Sequence, residues 1–215
     1  MTKLPPEFFR RLDERPDELF YKSPQPAEHL DSRAAARAHE LYSRLLPRGG
    51  RILDLMAGED SHLDDRYREV TGLGLNLEEL NSNPRITRPV LFDLNRNSRL
   101  PFADGYFDGA VCTASVQYMT RPGDTFREVA RCLKPGAPFV ITFSIRMFPS
   151  KAVLAWRASD DAAHLRLVSS YFRSAGSFTQ VQRDNFVPDE GDPLYALWAW
   201  RDRVPQGALR GRQVE

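Results

Sequence analysis

Five short apolar runs, set apart by turn residues and helical patterns, constrain this chain more than any other feature. They are RILDLM (51–56), EVTGLGL (69–75), PVLFD (89–93), FDGAVCTAS (107–115) and APFVITFS (137–144). Runs of this length, bounded by turn signals, read as strands buried on both faces. Asp31 is placed to N-cap a helix reaching Leu46, whose Ala35, Ala38, Leu41, Tyr42 and Leu45 recur at helical spacing. Pro47 and the Gly49-Gly50 pair stop it. Further helices are expected over 122–132, 149–157 and 160–175, with a short one over 5–14. Strands alternating with helices build a mainly parallel sheet. Two last runs, 177–186 and 194–201, flank a segment holding Pro188, Gly191 and Pro193 that is too short for a crossover helix. They should pair as an antiparallel hairpin. The expected fold is therefore α/β: a doubly wound, Rossmann-like, seven-stranded sheet with the last strand antiparallel and helices on both faces.

A length of 215 residues suits one such domain and can bury a core without disulfide or metal staples. Residues 1–30, rich in Pro and charge, read as an N-terminal helical extension. Residues 31–203 read as the domain, and 204–215 as a flexible tail. Thirty Lys and Arg face 29 Asp and Glu, a balance that argues against nucleic-acid or membrane partners. No apolar run nears the roughly 18 residues that span a bilayer, and the charged N-terminus does not read as a signal peptide. The expectation is a cytoplasmic monomer or homodimer with a small-molecule substrate. Cys112 and Cys132 lack metal-spaced partners and read as reduced core residues, so no metal is expected.

In an open α/β sheet, ligands bind beyond the carboxyl ends of the strands, where strand order reverses. The candidate residues thus follow the five runs. LDLMAGEDSHL, at the first, resembles the opening motif of class I S-adenosylmethionine-dependent methyltransferases, an acidic residue before a Gly-rich turn. Asp54 and Gly58 match it, while Met56 and Asp60 stand at two of the usual three glycines. Glycine tolerates positive φ, so a turn of different shape is expected here, with Asp60 or Ser61 capping a following helix. LPFADGYFDGAV (100–111) and LKPGA resemble later motifs of the small-molecule branch of that superfamily. LDLM with SHL, CTASVQYMT, FSIRMFPSKAV, HLRLVSSYFRSAG and DPLYAL resemble a methyltransferase-like subgroup of bacteria and plants. That subgroup shares the Met after the first strand and the Asn after the second.

The resemblance implies S-adenosyl-L-methionine as cofactor. It places Asp54, Met56, Ala57, Gly58 and Ser61 in the first loop, Asn76 and Leu77 at the ribose, Asp93 and Leu94 at the adenine, and Ser115 after the fourth strand. Asn76 replaces the usual carboxylate, and a neutral amide lacks its charge-assisted strength. Glu78 or Glu79 can compensate or simply face solvent. The candidate catalytic residues are His62, a proton acceptor or else a helix-start residue, and Tyr118, which can face substrate or pack on the cofactor. Candidate substrate contacts are Tyr21, Gln117, Arg146 and His164; the resemblance implies that residues 1–30, where Tyr21 lies, fold over the cofactor as a lid. Arg146 suits a carboxylate or phosphate but also a surface ion pair, and His164 also reads as a packing residue. The competing readings are a catalytically inactive binding protein on the same fold, and a nicotinamide-dependent oxidoreductase. The second lacks G-x-G-x-x-G after the first strand.

Overall fold

A computed structural model of the chain describes residues 5–22 and 29–203. The expected tail lies outside them. Seven strands form one sheet in the order β3-β2-β1-β4-β5-β7-β6. They are β1 (Arg51–Leu55), β2 (Glu69–Gly74), β3 (Arg88–Leu91), β4 (Gly109–Thr113), β5 (Pro138–Phe143), β6 (Gln182–Phe186) and β7 (Leu194–Trp200). The first five pair in parallel, and β7 runs antiparallel between β5 and β6. The hairpin expected from the segment 187–193 is present.

Side-chain alternation divides the core. Leu53 and Leu55 of β1 face one layer with Phe126, Val129 and Cys132 of α4 (Pro122–Cys132) and Leu165, Val168 and Phe172 of α6 (Asp161–Ala175). Ile52, one residue away, faces the other layer with Ala34, Ala38, Leu41 and Tyr42 of α2 (Ser32–Leu45). The period of two in a strand makes this division unavoidable. Asp31 caps α2 as expected, its Oδ1 accepting from the Ala34 amide at 2.8 Å. Tyr42 carries the one hydroxyl of that face, satisfied by Thr113 and Thr142 Oγ1 at 2.6 Å each.

Three expectations fail, each for a physical reason. The helix over 5–14 is a 3-10 turn at Pro6–Phe9, followed by α1 (Asp17–Phe20). Between them the backbone bonds outward: the Asp13 amide donates to Ser150 O at 2.9 Å and the Leu154 amide to Arg10 O at 2.7 Å. The helix over 149–157 shrinks to α5 (Leu154–Arg157), because residues 150–153 turn so that the Val153 amide reaches Gln117 O. No helix follows β1. Residues 56–68 are irregular, and Asp60 caps nothing, since its Oδ1 accepts the amide of His62 at 2.7 Å.

The N-terminal segment is held on the domain by a buried ionic knot. Lys151 is fully buried, with Nζ 3.0 Å from Asp17 Oδ1 and 3.4 Å from Asp13 Oδ2. Arg11 adds a bidentate contact to Asp17 at 2.6 and 2.7 Å. Burial opposes ionisation of Asp17, but its bonds to Arg11, Asn95 and Lys151 outweigh that and hold its pKa below the ordinary value.

The loop after β1 crosses tightly over the end of β2. The Ala57 amide donates to Leu73 O at 2.9 Å, and a Cβ on Gly74 would lie 2.4 Å from Ala57 O. Gly74→Ala is therefore expected to cost about 1–3 kcal/mol, through backbone displacement at an overpacked contact. Urea unfolding should show the midpoint falling at unchanged slope, and an unchanged midpoint would contradict the close crossing.

Candidate functional site

Strand order reverses at β1 and β4, and a cavity of about 710 Å³ opens beyond their carboxyl ends. It lies within the usual range of ligand pockets, about 300–1,000 Å³. Asp54, Met56, Ala57 and Gly58 form one wall, and Asn76 and Glu79 a second. Phe92, Asp93 and Leu94 form a third, with Ser115 and Tyr118 after β4. The N-terminal segment closes it with Asp17, Tyr21 and His29.

Met56 has φ of 56°, a left-handed conformation that a side chain adopts at a cost of about 1–3 kcal/mol. The turn thus retains a positive φ at a position where glycine is usual, contrary to the expected change of shape. Its carbonyl lies 3.4 Å from Ser115 Oγ, which also donates to Thr113 O at 2.8 Å. A Cβ added at Gly58 would meet Glu79 Oε2 at an ordinary contact distance of 3.6 Å.

Asp54 is 2% exposed, and its Oδ2 has no partner. Ser61 bonds the carboxyl from behind and in turn accepts from Asn83 Nδ2 at 2.9 Å. Burial pushes the Asp54 pKa up to about 7, against the lowering effects of Ser61 and His62. Asp93 Oδ1 accepts the amides of Asn95 and Arg96 at 2.8 and 3.2 Å, fixing the loop after β3. His62 Nδ1 sits 3.2 Å from Asp60 Oδ2, which orients its ring on the cavity wall.

Residues 57–141 match a family model described as a methyltransferase domain. Methyltransferase phqN of Penicillium fellutanum is 26% identical over 167 residues, covering 73% of this chain and 49% of that protein. The chain thus spans about half the length of this relative. A SAM-dependent methyltransferase of Methanosarcina mazei shares the fold at a TM-score of 0.51 and 15% identity, over 75% of this chain and 97% of that one. Phosphoethanolamine N-methyltransferase 2 of Haemonchus contortus, solved in complex with S-adenosyl-L-methionine, aligns at a TM-score of 0.55 and 14% identity, over 77% and 52%. Residues 57–141 thus resemble a methyltransferase domain, and the chain shares the fold of S-adenosylmethionine-dependent methyltransferases. Their sheet, with one strand antiparallel, is the sheet found here.

Within this fold the structure gathers most of the residues singled out from sequence. Asp54, Met56, Ala57, Gly58, Asn76, Asp93, Leu94, Ser115, His62, Tyr118 and Tyr21 all line the cavity. Asn76 does so with its amide already engaged. Its Oδ1 accepts the Glu78 and Glu79 amides at 3.0 and 3.3 Å, capping α3 (Leu77–Ser82), and its Nδ2 donates to Tyr21 O at 3.1 Å. Asn76 is thus a helix cap and a clasp for the lid, and Glu79 supplies the carboxylate on that wall.

Five residues are corrected. Leu77 starts α3 and is 47% exposed, while Leu75 lines the cavity in its stead. Ser61 is fully buried behind Asp54 and off the wall. Gln117 is buried, with Nε2 donating to Ala114 O at 2.8 Å, so it shapes the loop after β4. Arg146 forms an ion pair with Asp192 and does not line the cavity. His164 stacks on Trp156 at 4.0 Å and its Nε2 donates to Trp156 O at 2.8 Å, a packing role. Phe92 and Phe148 are wall residues not assigned a role from sequence, and Glu79, offered there as a compensating carboxylate, also lines the wall. Their positions just after β2, β3 and β5 were the available signal.

The Asp54 pKa gives a pH prediction. The fold holds this proton up to about pH 7, against 3.8 as the ordinary carboxylate value. The native state therefore binds the extra proton between those values, and this group's contribution to stability falls as pH rises across the window. Asp54→Asn removes that slope. Relative to wild type, the variant is expected to gain about 2–3 kcal/mol in going from about pH 5 to about pH 8. Chemical denaturation at both pH values checks this, and parallel pH dependence of the two proteins would refute it.

Proposed function

We propose that the protein transfers a methyl group from S-adenosylmethionine to a small-molecule acceptor. The single observation that supports this best is the cavity at the strand reversal, with a buried, unpartnered Asp54 oxygen on its wall. An orphaned buried carboxylate oxygen is costly unless a ligand meets it.

The residues present suit the cofactor. Asp54 and the backbone of Met56–Gly58 would hold its amino-acid portion, Glu79 the ribose side, and Asp93, Phe92 and Leu94 the adenine. Among the described residues Asp93 Oδ2 has no hydrogen-bond partner, which leaves it for an exocyclic amine. When bound, the cofactor supplies an electrophilic methyl group on a positively charged sulfur. The chain's own part is to align the acceptor and exclude water. Such positioning lowers barriers by up to roughly 7–11 kcal/mol. Asp17, Tyr21 and His29 cover the cavity, which favours an acceptor small enough to be enclosed. His62, oriented by Asp60, is placed to accept a proton where the acceptor must lose one.

Isothermal calorimetry with S-adenosylhomocysteine tests the reading. Saturable binding with Kd of about 1–100 µM is expected, and Asp93→Ala should weaken it about tenfold or more through loss of a charged acceptor. Absence of heat and of any thermal shift would overturn it. A second reading, a binding protein without turnover, draws on the strained Met56 and the missing helix after β1. Tight S-adenosylhomocysteine binding, with no methyl-tritium passed to a small-molecule cell extract, would favour it.

A further inference from the structure

One part of the cavity wall is made of rings. Phe148 is ringed by Tyr21, His29 and Tyr118, with centroids 6.5, 5.2 and 6.1 Å away. All four line the cavity. Phe20 backs the group at 5.3 Å from Phe148, and the Phe148 amide donates to Tyr118 Oη at 2.8 Å, which fixes the two walls together.

The charge of the whole wall is one-sided. Six acidic residues line the cavity, at Asp17, Asp54, Glu59, Asp60, Glu79 and Asp93, with Asp54 held partly protonated near neutral pH by burial, and among the described lining residues there is no Lys or Arg. Asp17 is offset by Arg11 and Lys151, and Asp60 is engaged by the His62 ring and amide. Arg146 is held by Asp192 off the wall. His29 is kept neutral by burial, with His62 and Arg146 reinforcing the effect. Tyr118 and Tyr21 are pushed up by burial, Tyr118 to about 12, so neither ionises in the working range. The rings therefore carry no charge of their own and sit beside an excess of acid.

We propose that this ring-walled part of the cavity is the acceptor subsite and that it selects an organic amine against anionic acceptors. The proposal rests on the methyltransferase reading and adds the acceptor's chemical class to it. Aromatic faces attract cations through their quadrupole, most strongly when desolvated. A carboxylate or phosphate would meet these acids with no Lys or Arg on the described wall to compensate them. The reaction asks for the same property. The bound ammonium first gives up a proton, for which His62 is the placed acceptor; the freed nitrogen lone pair then forms the new N–CH₃ bond, the C–S electron pair stays on sulfur, and the positive charge passes to nitrogen. An acid-flanked aromatic wall receives that charge, whereas the wall offers nothing to an anion.

Calorimetry on protein saturated with S-adenosylhomocysteine tests this with 2-phenylethylamine and phenylacetate, probes that share a ring and differ in the sign of charge. The amine is expected to bind at least about tenfold more tightly. Phe148→Ala should lose that binding, and Phe148→Tyr should restore it. His29→Lys, which places a cation among the rings, should invert the preference toward phenylacetate. Thermal unfolding of each variant checks that it is folded. Equal or tighter phenylacetate binding by wild type overturns the proposal, as does failure of both probes to bind at about 10 mM. If S-adenosylhomocysteine itself does not bind, the methyltransferase reading fails first and the acceptor assignment falls with it. Binding of S-adenosylhomocysteine without amine preference sinks the acceptor assignment alone.

Discussion

The reversal of strand order at β1 is the constraint on which the rest of this molecule depends. β1 pairs in parallel with β2 on one side and β4 on the other. The connections leaving β1 and β4 diverge, and the gap between them cannot be filled by the sheet. Everything of chemical interest is an answer to that gap. Asp54 sits in β1 itself, Met56 and Gly58 turn away from it, and Ser115 and Tyr118 close it from β4. The two core layers, split by alternation along β1, make the gap rigid by packing α2 on one face and α4 with α6 on the other.

Within that frame, the first loop solves an old problem with unusual residues. A tight turn over the end of β2 needs left-handed backbone, and Met56 takes it at some strain. The close approach is made possible from the other side, because Gly74 has no Cβ to meet Ala57 O. No helix follows, so no helix dipole points at the cavity from this loop. The electrostatics come instead from side chains, chiefly buried Asp54, with Asp60 orienting His62. The lid is likewise attached by side chains: Asn76 clasps Tyr21 O, and Lys151 ties Asp13 and Asp17 to the domain.

Much of this was legible from the order of residues. Strand positions followed from apolar runs, the antiparallel end from a loop too short for a crossover, and the α2 cap from Asp31. Eleven of the sixteen candidate site residues reach the cavity, because the carboxyl ends of parallel strands converge whatever the detailed loops do. The five that do not reach it were lost to local geometry. Gln117, Ser61 and His164 found backbone or buried partners, Arg146 found Asp192 across the fold, and Leu77 starts α3 exposed, two residues past the lining Leu75. A sequence offers no register for such choices, since each depends on which neighbour arrives first in space.

By itself the sequence determined the sheet, its antiparallel end and the rim where ligands meet the chain, because apolar periodicity and connection length leave few ways to bury these runs. Only the tertiary structure decided what that rim is made of. It brought four rings from the lid, β4 and β5 together, left Lys and Arg off the described cavity wall, and turned Asn76 from a ligand candidate into a cap. Those outcomes hinge on distances between segments far apart in the chain, where burial and charge pairing are settled by packing rather than by residue order.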